Sequence, residues 1–224
     1  MIRLHGFYRS SATFRVRIAL NLKGLDYVSV ELDLTRGEQR QAPYLRLNPQ
    51  GLVPALELDG IVLTQSQAII EYLDEVYPQM PLLPPDSPGR ARVRALYQLI
   101  AADTHHITTL RVSHYLRTQQ GAEERQIRQW QHHWLGESFT AIETLLSSSA
   151  MTGRFAHGDQ LTLADIALTP QVYAAQRLEL AIDQWPNLAR IVENSMAEPA
   201  FIRAHPSNQS VSAQRLNATT SRGV

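Results

Sequence analysis

Residues 47–73 read LNPQGLVPALELDGIVLTQSQAIIEYL and carry the strongest fold signals in the chain. Two short apolar runs, residues 55–58 and 61–63, flank the dipeptide Asp59-Gly60. Because Asp-Gly favours two-residue hairpin turns, this pattern predicts a pair of antiparallel strands. The apolar side chains that follow are spaced as on one face of a helix, at Ile69, Ile70, Leu73, Val76 and Tyr77. The stretch therefore predicts strand, turn, strand and helix.

Upstream of the hairpin, the chain alternates between strand and helix patterns. Residues 2–6 form a short apolar strand, and residues 13–23 form a helix that stops at Gly24. Residues 28–34 alternate apolar and polar side chains, as a half-buried strand does. A weak helix or loop follows and ends at Asn48-Pro49. The predicted order over residues 1–80 is β-α-β-α-β-β-α, an α/β unit of thioredoxin size.

Downstream, the pattern changes at a proline-rich segment. Five prolines lie within residues 78–88 and indicate an interdomain linker. Helical patterns then cover residues 89–119, 123–146, 162–178 and 187–196, while strand signals almost disappear. We therefore expect an all-helical domain over residues 89–205. Residues 206–224 have few large apolar side chains and are expected to form a flexible tail.

Composition excludes several classes of function. Lys plus Arg and Asp plus Glu both number 21, so the chain lacks the positive field that attracts nucleic acids. The absence of cysteine excludes disulfides, thiolate metal sites and a protein thiol as nucleophile. Two pairs of neighbouring histidines point about 100° apart on a helix, so no metal site is expected. No signal peptide or run of about 18 apolar residues occurs, which favours a cytoplasmic protein without a membrane span.

Several short motifs have both a structural and a functional interpretation. Ser10 stands where the first strand gives way to the first helix, as an N-cap or as part of an anion site that could hold a thiolate. Ser66 likewise is a helix cap or, with Gln65, a grip on a ligand carboxylate. Pro54 either opens a strand in the trans form or, if cis, exposes the backbone of Val53 to an extended, peptide-like ligand.

Two motifs in the helical half are interpreted as structural. Trp130 and Trp134 lie four residues apart, with Ile127, Phe139 and Ile142 nearby in the pattern, so both indoles are expected in the core. Residues 162–165 read TLAD and match a capping box, with aspartate in place of the usual glutamate. Neither motif by itself predicts a ligand.

Together, these features resemble a cytosolic glutathione transferase of the zeta class, whose members isomerise maleylacetoacetate or maleylpyruvate. The class-specific segment is residues 10–20, SSATFRVRIAL, whereas Val-Pro at 53–54 and Gln-Ser at 65–66 are shared across the superfamily. The match runs from about residue 1 to residue 204. It implies the glutathione transferase fold, an α/β thioredoxin-like N-terminal domain over residues 1–80 plus an all-α C-terminal domain. It also implies glutathione as cofactor and a homodimer.

The resemblance also assigns roles to matching positions. The residues implied to bind glutathione are Ser10, Gln50, Val53, Gln65, Ser66 and His105. Those implied to grip the carboxylates of a maleyl diketo acid are Arg9, Arg111 and Arg177. Ser10, which would hydrogen-bond the glutathione sulfur, and Arg9 are the implied catalytic residues.

The chain departs from the class pattern at two places. Ala12 replaces the usual cysteine after the two serines, and Thr108-Thr109 replace Asn-Asn. Because glutathione brings its own thiol, a cysteine-free chain is consistent with isomerase activity. The helix N-terminus with Ser10 would lower the thiol pKa, and arginines would anchor the substrate. Two alternatives are a general glutathione transferase that conjugates electrophiles and a non-catalytic glutathione-binding protein.

Overall fold

The computed structural model describes residues 1–209, and these form two compact units. The first contains Met1–Pro81 together with residues 197–209, and the second contains Leu82–Met196. Residues 210–224, most of the predicted flexible tail, lie outside the described residues. Within residues 1–209, no helix combines the length and the apolar character needed to cross a bilayer.

The first unit is a four-stranded mixed sheet with helices. Its elements are β1 (Ile2–Gly6), α1 (Ser11–Leu22), β2 (Tyr27–Glu31), α2 (Ala42–Leu45), β3 (Ala55–Leu58), β4 (Ile61–Thr64), α3 (Ser66–Val76) and α10 (Pro199–Ala204). The strand order is β2-β1-β3-β4, with β1 parallel to β2 and antiparallel to β3. This arrangement confirms the predicted β-α-β-α-β-β-α order and the thioredoxin-like α/β class.

Local turn chemistry explains where these elements end. Asp59 and Gly60 both have positive φ, 49° and 84°, as a two-residue hairpin of the type I′ kind requires. Helix α1 is followed by its C-cap residue Lys23 and then by Gly24, which has a φ of 65°. There the Leu25 N–H donates to the Leu20 carbonyl over 2.9 Å, closing a Schellman motif. Both turns were predicted from the sequence.

The second unit consists of helices. They are α4 (Ser87–Gln98), a π-helical segment (Leu99–Thr104), α5 (His105–Ile107), α6 (Leu110–Gln119), α7 (Glu124–Ser147), α8 (Leu163–Gln176) and α9 (Pro186–Met196). The predicted capping box is confirmed at the start of α8, where the buried Asp165 carboxylate accepts from the Thr162 N–H over 2.8 Å. The same carboxylate accepts from the Ala156 N–H over 2.8 Å and so ties the preceding loop to α8. The all-helical prediction is confirmed.

Two expectations about the helical half were wrong. The predicted helix over residues 89–119 is interrupted, first by the π segment and then at Thr108-Thr109. Trp130 and Trp134 are 37% and 36% exposed rather than in the core. The Trp130 indole N–H donates to the Ile107 carbonyl over 2.9 Å, so this side chain lies at the boundary, where its N–H finds a partner.

The end of the described chain also packs differently from the expectation. Residues 197–205 were assigned to the helical domain, but α10 packs against α1 in the first unit. The Asn21 side-chain amide donates to the Ala200 carbonyl over 2.9 Å. Pro206–Asn208, predicted as tail, form a 3-10 helix. A helical pattern predicts a helix but does not identify the surface on which its apolar face packs.

Candidate functional site

Ser10 lies on the turn that leads from β1 into α1. Its side chain caps the helix, because Oγ accepts from the Thr13 N–H over 3.2 Å. Its own N–H donates to the Phe7 carbonyl over 2.9 Å, which closes the turn. The structural interpretation of Ser10 is therefore confirmed.

While it caps the helix, the Ser10 hydroxyl can still form a hydrogen bond with a ligand. A hydroxyl has two lone pairs and one proton, so Oγ can accept from Thr13 and still donate to a ligand. Ser10 is half-buried, and α1 has no acidic residue in its first turn. The positive end of the helix dipole and the first-turn amides therefore favour an anion at this point. The cap and the anion site are compatible uses of the same side chain.

Arg9 precedes Ser10 on the same turn. Its guanidinium carbon lies 5.2 Å from the centre of the Tyr8 ring and 5.6 Å from that of Phe7. Its Nε is buried and has no hydrogen-bond partner among the described residues. Since a buried, unpaired charged donor is costly, this group is suited to an anionic ligand.

The Val53-Pro54 peptide bond is cis. The preceding carbonyl, that of Leu52, accepts from the Tyr44 hydroxyl over 2.6 Å and from the Asn48 side-chain amide over 2.7 Å. Burial raises the pKa of Tyr44 to about 12, so this hydroxyl keeps its proton and remains a donor at neutral pH. Val53 lies in a bend two residues before β3.

Gln65 and Ser66 lie at the start of α3. Gln65 is the N-cap residue with a φ of 67°, whereas Ser66 is the first helical residue, so the prediction that Ser66 caps the helix was wrong. A positive φ is strained for a residue with a side chain, and such strain clusters at ligand sites. The Gln65 amide donates to Gln50 Oε1 over 2.8 Å, which brings these two predicted residues together.

Ser66 has a charged neighbour. The buried Arg15 guanidinium, on α1, donates to Ser66 Oγ over 3.5 Å. A cation behind the hydroxyl polarises its O–H bond and makes it a better donor to a carboxylate. Tyr44, Asn48 and Arg15 support the site residues, but no sequence signal identified them in this role.

In the second unit, His105 follows the π-helical segment Leu99–Thr104. The His105 N–H donates to the carbonyl of Ile100, five residues earlier, instead of four. The Thr104 hydroxyl lies in this turn, where it contacts Ser138 Oγ and donates to the Leu99 carbonyl over 2.7 Å. The additional residue in the turn rotates His105 by about 100° relative to a regular α-helix.

Arg111 lies just beyond the helix break at Thr108-Thr109. Helix α6 restarts at Leu110, so Arg111 occupies its first turn. A cation there is disfavoured by the helix dipole unless an anion is also bound. The Arg111 guanidinium donates to His106 Nε2 over 3.0 Å and is otherwise exposed. This placement is suited to a carboxylate.

Arg177 is the C-cap residue of α8, where a cation is favoured by the helix dipole. Its guanidinium carbon lies 6.0 Å from the Tyr173 ring centre, and the side chain is exposed. The dipole and the ring account for Arg177 without any ligand, so its placement says less about binding than that of Arg9.

Both parts of the chain match models of known families. Residues 4–81 match the glutathione S-transferase N-terminal domain, and residues 102–199 match the glutathione S-transferase C-terminal domain. Together, these segments cover most of the chain.

Similar proteins cover nearly the whole chain as well. Maleylacetoacetate isomerase of Pseudomonas aeruginosa is 48% identical over 93% of this chain and 97% of its own. Maleylpyruvate isomerase of a Ralstonia species is 44% identical over 95% of this chain and 100% of its own. The holo structure of a maleyl pyruvate isomerase, described as a bacterial zeta-class glutathione S-transferase, superposes with a TM-score of 0.91 at 42% identity. The match covers 93% of this chain and 98% of that structure's chain. Maleylacetoacetate isomerase from Methylobacterium extorquens, solved with malonate and glutathione, has a TM-score of 0.91 at 40% identity over the same shares.

Proposed function

Because this chain belongs to the zeta class of the glutathione transferase family, we propose that it is a glutathione-dependent cis–trans isomerase of maleyl keto acids. The observation that carries the proposal is the presence on one turn of Ser10, whose hydroxyl caps the N-terminus of α1, and of Arg9, whose buried Nε has no partner among residues 1–209. The first suits a thiolate and the second a carboxylate, and the chain has no thiol of its own.

Bound glutathione supplies the nucleophilic sulfur, whose reversible addition to the conjugated cis double bond allows rotation about it. The role of Ser10 is to donate its hydroxyl proton to the sulfur as a hydrogen bond while its Oγ accepts from Thr13. Since hydrogen bonds and positive charge favour the ionised thiol, Ser10 and the α1 dipole lower the thiol pKa.

The other site residues fit the peptide part of glutathione. Val53, which precedes the cis proline Pro54, would pair with the cysteinyl backbone. Ser66, polarised by Arg15, and Gln65, oriented by Gln50, would hold the γ-glutamyl carboxylate. We propose His105 as a further contact of glutathione.

Arginines are proposed to hold the substrate. The carboxylates of a maleyl keto acid need charged donors, and the Nε of Arg9 is buried without a partner among residues 1–209. Arg111, in the first turn of α6, and Arg177, at the end of α8, are proposed as further carboxylate contacts. The same charges stabilise negative charge that develops on the substrate during the reaction.

The experiment is an isomerase assay with maleylacetone and maleylpyruvate, with and without glutathione. We expect turnover only when glutathione is present. Arg9→Ala should raise the KM for the maleyl acid about tenfold or more, the loss expected for one charged hydrogen bond. The matched control is Arg3→Ala, which removes a half-exposed arginine of β1 that pairs with Glu57 at 3.9 Å.

The outcomes distinguish the possible functions. Conjugation of a chlorinated electrophile without isomerisation would indicate a general transferase instead. Retention on immobilised glutathione with no turnover would indicate a non-catalytic binding protein. If Arg9→Ala and Arg3→Ala have the same KM, Arg9 does not bind the substrate carboxylate.

We further propose that the protein is a homodimer in the cytoplasm. The support is the family resemblance over both domains. Light scattering of the purified chain should give twice its mass of 25.2 kDa, and cell fractionation should place it in the cytoplasm. A mass of one chain would overturn the first statement, and a membrane or secreted fraction the second.

A further inference from the structure

Arg17 lies on α1, and its side chain is 1% exposed. Its guanidinium reaches two carbonyl groups that are far apart in sequence. Nε donates to the Ala204 carbonyl over 2.9 Å, and one terminal nitrogen donates to the Tyr8 carbonyl over 2.9 Å. The guanidinium carbon also lies 5.5 Å from the centre of the Phe14 ring. A planar fork of donors is suited to such a double contact.

The Tyr8 carbonyl belongs to the turn that presents Arg9 and Ser10. The other backbone group of Tyr8, its N–H, donates to the Glu31 carboxylate over 2.9 Å. Both backbone polar groups of Tyr8 are thus held by charged side chains, one from β2 and one from α1. Tyr8 is buried, so loss of the Arg17 donor would leave a buried carbonyl with poorer bonding and loosen the turn.

The Ala204 carbonyl is the last one in α10, where a helix has no backbone donor of its own. Arg17 supplies a charged donor at this negative end. Helix α10 is otherwise joined to α1 by the Asn21 amide, which donates to Ala200. Arg17 is thus a direct link from the end of the described chain to the turn that carries Ser10.

We propose that Arg17 is a positioning residue for thiol activation: it fixes the Arg9-Ser10 turn and uses helix α10 as its anchor. This inference rests on the proposed function, because it gives the turn its task. It also means that residues 197–209 are needed for glutathione activation by the first unit, although they come from the opposite end of the chain.

The test compares Arg17→Met, Arg17→Lys and Asn21→Ala. The last is the matched control, because it removes another bond between α1 and α10 without touching Tyr8. The readouts are urea unfolding, the kcat and KM of isomerisation, and the ultraviolet absorbance of the enzyme-bound glutathione thiolate against pH. We expect Arg17→Met to raise the pKa of the bound thiol by about one unit and to lower kcat about tenfold, with a smaller change in the KM for the maleyl acid.

Asn21→Ala should reduce stability and leave the thiol pKa at the wild-type value. In Arg17→Lys, the pKa of the bound thiol should lie between the wild-type value and that of Arg17→Met. If both Arg17 variants fold and bind glutathione with the wild-type thiol pKa, the inference is overturned. It is also overturned if Asn21→Ala raises the thiol pKa as much as Arg17→Met does. If Arg17→Met does not fold, Arg17→Lys decides alone, by a raised or an unchanged thiol pKa. Failure of the proposed function would show separately, as an absence of isomerase turnover in the wild-type protein. The thiolate titration needs no maleyl substrate, so it tests Arg17 independently of that outcome.

Discussion

Replacing Ser10 by alanine should remove two interactions of one hydroxyl. The bond to the Thr13 N–H, 3.2 Å long, caps α1, and the loss of such a cap destabilises a protein by about 1 kcal/mol. The bond to the glutathione thiolate is also lost, and a charged hydrogen bond contributes about 1.5–3 kcal/mol. Because one pKa unit corresponds to about 1.4 kcal/mol, the pKa of the bound thiol should rise by about one to two units.

Two further substitutions separate these roles. Ser10→Asp provides an equally good cap, so the free energy of unfolding should stay within about 0.5 kcal/mol of the wild-type value. It also places a carboxylate beside the sulfur, and like charges raise the thiol pKa at least as far as alanine does. Ser10→Thr keeps both a cap and a hydroxyl and is the matched control.

The assay is a pH titration of the thiolate absorbance of bound glutathione, paired with urea unfolding of each variant. A single structural role would make thiol pKa and stability change together across the series. The proposed double role separates them in Ser10→Asp, which should be stable and yet bind glutathione as the thiol. A stable Ser10→Asp protein with the wild-type thiol pKa would refute the reasoning.

Three further outcomes follow from the structure. Because burial raises the pKa of Tyr44 to about 12 in the fold, stability to urea should be unaffected by this group below pH 10 and fall as pH rises from 10 to about 12. Burial also raises the pKa of Tyr27, so Tyr44→Phe should reduce that fall without abolishing it, and an unchanged fall would exclude Tyr44 as a source. Gln65→Gly relieves a φ of 67° and should therefore raise the free energy of unfolding by about 1 kcal/mol. Calorimetry should also show weaker glutathione binding. A loss of stability would contradict the idea that Gln65 is strained. Asp165→Ala leaves the buried N–H groups of Ala156 and Thr162 without their acceptor. The variant should therefore lose about 3 kcal/mol of stability in urea unfolding. A loss below about 1 kcal/mol would show that other acceptors replace the carboxylate.

The elements that sequence predicted well are those with local causes. The β3–β4 hairpin depends on Asp59-Gly60, and the end of α1 on Gly24, and both need only a positive φ at the named residues. The capping box at Thr162 and Asp165 is equally local, because its partners are three residues apart. Such features can be recognised without knowing what packs around them.

The features that sequence missed depend on distant partners. The π segment involves a contact between Thr104 and Ser138, 34 residues apart, which no helical periodicity reveals. Trp130 has the spacing of a core residue, but its indole N–H bonds to the Ile107 carbonyl in another helix. The packing of α10 on α1 joins residues 187 positions apart, as in the bond from Arg17 to Ala204.

Some features of the candidate site also have a local sequence signal, and others do not. The position of Ser10 at a helix N-terminus was predicted from the residues alone, because serine after a strand is a cap signal. For Gln65 and Val53 the residues alone left a structural and a functional interpretation open, and the family resemblance favoured the functional one, since neither the positive φ of Gln65 nor a cis peptide bond has a reliable single-sequence signal. The supporting donors Tyr44 and Arg17 act on backbone carbonyls, and the sequence contains no pattern that identifies such bonds.

The π segment has a consequence for how this region tolerates change. A side-chain replacement within residues 99–104 that converted the wide turn to a regular one would keep the number of residues and so shift the phase of the helix that follows by about 100°. His105 would then leave its present angular position. Deleting one residue there while the turn becomes regular has the opposite result, because the wide turn had absorbed that residue, and His105 keeps its angular position. In alignments of homologous chains, a one-residue gap here is therefore compatible with an unchanged presentation of His105.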